Sequence, residues 1–181
     1  ADAYQKIPLV HIQGGEGTGN IDEKVRLANT TLADIHLVAS ESAKTRVLKL
    51  GEEESKVYNT GCPSIDIAKE VKDTPGFSFD PSQKYGGVGA TIPKDADYLV
   101  VMQHPVTTEY GAAKKDVLTT LEVIHELGIP TYWFWPNVDA GSDGTSNGIR
   151  SFRESVNPKN IRFFKNMEPN DFLELLVNSR C

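Results

Sequence analysis

Cysteine is almost missing from this chain of 181 residues: only Cys62 and Cys181 occur. Two isolated thiols build neither a disulfide framework nor a zinc cluster, so a reducing compartment, the cytoplasm, is expected. Long apolar runs are missing as well. None approaches the roughly 20 residues that span a bilayer, and no signal peptide is read at the start. Positive charge is not in excess, since 19 Lys plus Arg stand against 25 Asp plus Glu for a net charge of −6. A nucleic-acid or membrane-surface binder would show the opposite balance. A local positive pocket for an anionic metabolite remains compatible with it. Also lacking are a His/Cys cluster at metal spacing, a Ser-His-Asp elbow motif, internal repeats and low-complexity tracts. What is present, 39% apolar and 24% charged residues, describes a soluble globular chain long enough for one large domain or parts of two.

Strand-like and helix-like segments alternate along it. Ile7 to Ile12 reads as a strand, and Ile21 to Ala33 as an amphipathic helix whose apolar face is Ile21, Val25, Ala28 and Leu32. Asn20 with Glu23 forms a candidate capping box. Ile35 to Ala39 is a second strand, and Ser40 or Ser42 can cap a helix that Gly51 stops. Lys56 to Asn59 is a third strand, followed by a helix from Pro63 to about Val71. Between Lys72 and Asp97 the periodicity vanishes into proline, glycine and charge, which reads as an inter-domain connection because so long a loop is unusual inside one domain. The pattern restarts with the apolar strand Tyr98 to Gln103. Thr107 or Thr108 can cap a helix bearing Val117, Leu118, Leu121, Ile124 and Leu127. Thr131 to Trp135, a helix over 142–154, Ile161 to Phe164 and a last helix from Pro169 to about Val177 complete the run. Such alternation predicts an α/β fold with parallel sheets flanked by helices on both faces.

Sheets of this kind place ligands outside the carboxyl ends of their strands. Three such ends carry chemistry. The first is His11-Ile12-Gln13-Gly14-Gly15-Glu16-Gly17-Thr18-Gly19-Asn20-Ile21-Asp22-Glu23, where glycines allow a sharp turn and close approach to a ligand. It is no P-loop, because no Gly-Lys-Ser/Thr follows, and Glu16 would repel a phosphate. A tight turn with solvated charges competes evenly on spacing alone. Asp22 and Arg26 share a helix face, either as a weak surface pair or as site residues. At the second end, His104 follows the buried strand and precedes Val106, Thr107 and Thr108, which are expected to open a helix whose first amides attract anions. At the third, Asn137 can bind a ligand, Asp139 and Asp143 suit helix capping, and Arg150 and Arg153 are expected in solvent. His36 and His125 are assigned to structure.

The rims HIQGGEGTGNIDEKVR at 11–26, QHPVTTEYG at 103–111 and WPNVDAGSDG at 135–144 resemble the UDP-N-acetylglucosamine 2-epimerase family. TGCPSID at 60–66 and KNMEPNDFLELLVNSRC at 165–181 resemble it too. The likeness leans to the hydrolysing branch, which makes N-acetylmannosamine-type sugars for sialic- and legionaminic-acid synthesis. It implies portions of two Rossmann-like domains of a GT-B architecture, with substrate between the halves. Residues 1–68 would close the first domain, 69–97 link the two, and 98–181 open the second. The family's first nucleotide-sugar loop and its later uridine-gripping loop fall outside the sequence, so an internal segment is expected. Gly17 and Leu27 depart from the usual residues.

The resemblance implies loss of the C2 proton and expulsion of UDP, leaving a 2-acetamidoglucal, to which water adds with inverted C2 configuration. In the non-hydrolysing branch UDP itself returns. No metal and no redox cofactor is implied. Glu16 and Asp22 would transfer protons. Arg26 and His104 would meet the leaving diphosphate, and His11 and Asn137 would position the ligand. Family members commonly pair, so a homo-oligomer is implied, and 181 residues alone are expected to aggregate or need a partner. A GT-B glycosyltransferase and a non-catalytic nucleotide-sugar-binding fragment are the competing classes.

Overall fold

A computed structural model describes residues 7–19, 21–74, 78–106, 109–138 and 140–180. The chain divides into two compact units, residues 1–69 and 70–181.

The first unit is a parallel sheet of three strands, β1 (Val10–Ile12), β2 (Ile35–Val38) and β3 (Val57–Asn59), in that spatial order. Its crossovers are α1 (Ile21–Leu32) and α2 (Glu41–Lys49), and α3 (Pro63–Asp73) leaves it. Ser40 caps α2 by accepting the Ala43 N–H at 3.1 Å, which satisfies one amide that the helix start would leave unpaired. Val38, Ala43, Val47 and Val57 form its small core. The face expected to bury α1 is not the buried one. Val25 and Leu32 are 58% and 59% exposed, whereas Thr30 is fully buried and Ala33 nearly so. Glu23, Arg26 and Thr30 recur at helical spacing, and this polar seam meets β1 and the loop after it. The Ile21 side chain and Asn20 lie outside the described residues. Glu23 does reach back, accepting the Gly19 N–H at 2.7 Å.

The second unit is a four-stranded sheet in the order β4 (Val88–Gly89), β7 (Ile161–Phe164), β6 (Thr131–Phe134) and β5 (Leu99–Met102). β5, β6 and β7 are parallel, and β4 adds an antiparallel edge. The helices are α4 (Pro81–Tyr85), α5 (Ala113–Leu127), α6 (Ser142–Val156) and α7 (Pro169–Val177). Alternate residues of a strand face opposite sides, and central β6 shows it. Tyr132 and Phe134 join one buried cluster with Phe164 and Leu175, while Trp133 joins another with Leu121, Ile149 and Phe163.

The segment expected as an inter-domain connection, 69–97, instead packs almost entirely into this second unit. Ile92 sits in its core. The Arg162 guanidinium donates to the Gly86 and Ala90 carbonyls, at 2.9 Å and 3.0 Å, and ties the stretch to β7. Glu174 accepts the Ser78 hydroxyl at 2.8 Å. Short elements held by charge-assisted bonds leave no hydrophobic period to read. Residues 75–77 are outside the described set.

A second correction concerns α5. It starts at Ala113, after a tight turn over Tyr110–Ala112, several residues past the Thr107 and Thr108 capping site. Thr107 and Thr108 themselves lie outside the described residues, as do Asp139 and Cys181. No described helix is long and apolar enough to cross a membrane.

Candidate active site

The loop after β1 is built by its backbone. Gln13 adopts a left-handed conformation, φ 61°, while its N–H still donates to Leu37 O at 2.7 Å. The chain therefore leaves the sheet abruptly, at the strand end. Gly15 follows at φ 79°, and a Cβ there would lie 2.4 Å from the Ala43 carbonyl oxygen. Only glycine lets the loop rest on the backbone of α2.

Two guanidinium groups then hold it. Arg46 of α2 donates to Gly15 O at 3.1 Å and lies 4.0 Å from the Glu16 carboxylate. Arg26 of α1 donates to Glu16 O at 2.8 Å and to the Thr18 hydroxyl at 3.4 Å. The half-exposed Glu16 carboxylate thus projects from a loop whose carbonyls are fixed by cations.

This loop, α1 and the start of α3 enclose an open cleft of about 800 Å³ within the first unit. Its wall includes four residues singled out in the sequence, His11, Glu16, Asp22 and Arg26, and four that were not, Gln13, Asn29, Ser40 and Cys62. Two carboxylates and one cation give it a mixed field suited to a ligand that loses a proton and also carries negative charge. The Cys62 thiol accepts from Gln13 Nε2 at 3.1 Å. The backbone N–H groups of Ile65 and Ser64, where α3 begins, draw its pKa below the ordinary thiol value.

His11 is clamped. Its Nδ1 is 3.1 Å from Thr30 Oγ1, and a Cβ on Gly14 would come within 2.8 Å of the same nitrogen. Partial burial lowers its pKa from the usual histidine value, with His36 and Arg26 adding to the effect. Behind it, His36 is fully buried with Nε2 3.1 Å from the Glu52 carboxylate.

The other two predicted residues meet in the second unit. At the ends of β5 and β6, the Asn137 N–H donates to His104 Nδ1 at 3.3 Å. Among the described residues the following helix, α5, begins only at Ala113, and Thr107 and Thr108, expected to open it beside His104, lie outside the described set. Arg150 and Arg153 are not simply solvated either. They lie over the rings of Trp135 and Phe163, 5.6 Å and 5.5 Å from the centroids. Asp143 sits in the first turn of α6, beyond its N-cap Gly141. Among the described residues no group of three or more His, Cys, Asp or Glu side chains could hold a metal.

The model of the UDP-N-acetylglucosamine 2-epimerase family matches residues 1–181, and the chain belongs to that family. Among curated proteins, it is 27% identical over 179 residues to the UDP-N,N'-diacetylbacillosamine 2-epimerase (hydrolyzing) of Legionella pneumophila, covering 99% of this chain and 45% of that one. It is 30% identical over 135 residues to the UDP-N-acetylglucosamine 2-epimerase of Neisseria meningitidis, covering 75% of this chain and 34% of the relative. The chain therefore spans less than half the length of these relatives. Among solved structures, the Neisseria meningitidis UDP-GlcNAc 2-epimerase bound to UDP-GlcNAc matches with a TM-score of 0.74 at 20% identity, over 98% of this chain and 48% of that chain. The S. aureus MnaA–UDP structure matches at 0.69 and 14% identity, over 98% and 45%. The fold class, parallel sheets flanked by helices, is the one these GT-B epimerases share.

Proposed function

We propose that this chain carries the chemistry of a hydrolysing UDP-N-acetylglucosamine 2-epimerase, an enzyme converting a UDP-sugar to UDP and a 2-epimerised N-acetylhexosamine. The observation that carries this reading is the cleft in which His11, Glu16, Asp22 and Arg26 meet at a strand's carboxyl end. The names of the Legionella relative and of a Campylobacter jejuni relative, both hydrolyzing, favour this branch.

In the proposed sequence a base takes the C2 proton, the C2–H electrons form the C1–C2 double bond, and the C1–O bond breaks to release UDP. Water then adds, its hydroxyl to C1 and a proton to the opposite face of C2. Two proton transfers at one carbon need groups on both faces of the sugar, and Glu16 and Asp22 are the two carboxylates that line the cleft. Diphosphate expulsion needs donors near the leaving oxygens. Arg26 supplies a guanidinium in the first unit. In the second, His104 accepts from Asn137 at Nδ1, so its neutral ring carries hydrogen on Nε2 and donates to a phosphate oxygen. His11 and Asn137 position the ligand. The protein works in the cytoplasm as a homo-oligomer, on a precursor of sialic-type sugars.

The test uses the natural polypeptide carrying residues 1–181 and measures UDP release from UDP-N-acetylglucosamine. Glu16→Gln and His104→Ala each lower turnover by about 100-fold or more. Near-normal turnover in both variants would remove these assignments.

A further inference from the structure

The two imidazoles singled out in the sequence, His11 in the first unit and His104 in the second, are held in opposite ways, and the difference assigns a role to Thr30. A hydroxyl has one hydrogen. Thr30 Oγ1 lies 3.0 Å from Arg26 O, four residues back on the same helix, the usual acceptor for a helical threonine. With its hydrogen placed there, the hydroxyl can only accept from His11 Nδ1, 3.1 Å away. Nδ1 then carries the ring hydrogen, and the lone pair is left on Nε2. His11 is half-buried and lines the cleft. Gly14 makes room for this arrangement, since a Cβ there would lie 2.8 Å from Nδ1 and 3.1 Å from Thr30 Oγ1.

We propose that Thr30 is a positioning residue that fixes His11 as its Nδ1–H tautomer, so that Nε2 presents a hydrogen-bond acceptor to a hydroxyl or amide N–H of the bound sugar. This rests on the proposed function only for the identity of the ligand. An acceptor of this kind reads the polar hydrogens of a sugar, whereas a charged or Nε2–H ring would favour phosphate. The groups surrounding the ring are consistent with it staying neutral. His36 faces it from β2 in direct register, Arg26 and Asp22 stand on α1, Glu16 on the loop and Cys62 ahead of α3. His36 and Arg26 both oppose a positive charge on His11.

The experiment is nitrogen-15 imidazole NMR of the natural polypeptide, with signals assigned through His11→Gln. At about pH 7.5 the wild-type protein is expected to show His11 mainly as the Nδ1–H form, with a midpoint below the usual histidine value. Thr30→Val, close in shape but without the hydroxyl, is expected to raise the share of the Nε2–H form and to shift the acid limb of the pH–turnover profile. Thr30→Ser is expected to restore both. A wild-type ring that is mostly Nε2–H or imidazolium at that pH overturns the proposal, and so does a Thr30→Val ring with unchanged tautomer balance. Because the tautomer is read without turnover, the outcome separates from the functional reading. That reading fails instead if adding UDP-N-acetylglucosamine moves no signal of the cleft while His11 keeps its expected form.

Discussion

The two units use their buried volume for different purposes. On each face of the second unit's sheet lies a cluster of seven buried side chains. The cluster in the first unit holds four, none larger than valine. That unit instead buries Thr30 and His36 completely and leaves Ile12, Val25 and Leu32 about 60% exposed, at 60%, 58% and 59%. Its inward seam serves the cleft, while the second unit's interior serves stability. Apolar periodicity therefore reports packing in one unit and misreports it in the other.

The largest expected effect falls on the better-packed unit. Trp133→Ala removes a fully buried indole of β6 from the cluster it forms with α5 and α6 and should cost about 3–5 kcal/mol, seen as loss of amide protection across β5, β6 and β7. Next comes Gly15→Ala. It forces a Cβ against the Ala43 carbonyl at a positive φ and should cost about 1–3 kcal/mol, with protection lost in β1 to β3. An equal or larger loss from Gly15→Ala would reverse the ranking of the two units.

Acid sharpens the same contrast. The folded His11 pKa is lowered by burial, His36 and Arg26, so the unfolded chain takes up the proton first. The stability held by neutral His11 is complete above about pH 6.5 and is lost as pH falls through the folded value. In the second unit, burial opposes ionisation of Asp171, but hydrogen bonds from Lys84 and Tyr85 outweigh it and lower its pKa. That contribution is complete above the ordinary carboxylate value and fades only as pH falls below about 4. Amide exchange at about pH 5 should find β1 to β3 loosened before β5 to β7. The smallest effect is expected from Leu32→Gln. Its side chain is exposed, so stability should move by no more than about 0.5 kcal/mol, checked by thermal melting.

Much of the second unit was legible in the sequence. Ile161–Phe164 and the helix from Pro169 to Val177 stand where apolar runs and the N-terminal proline put them. In the first unit the strand end was legible because glycines and carboxylates crowd it, and His11, Glu16, Asp22 and Arg26 line one cleft. His104 and Asn137, separated by a whole helix in sequence, are hydrogen-bonded. Thr30, Gln13 and Arg46 were not legible. Threonine in a helix carries no signal of the imidazole it will meet, and the left-handed Gln13 bonds to Leu37 and Cys62, distant in sequence. The stacking of Arg150 on Trp135 depends on the crossing of α6 over β6, which no local pattern encodes. The partners of the segment 72–97 were not legible, because Arg162 and Glu174 lie far along the chain.

The most direct test of the central claim runs the natural polypeptide with UDP-N-acetylglucosamine in deuterium oxide and analyses both products. Elimination followed by hydration predicts free UDP together with an N-acetylhexosamine of inverted C2 configuration carrying deuterium at C2. Released sugar that retains its original hydrogen there, or no release of UDP at all, would contradict the account.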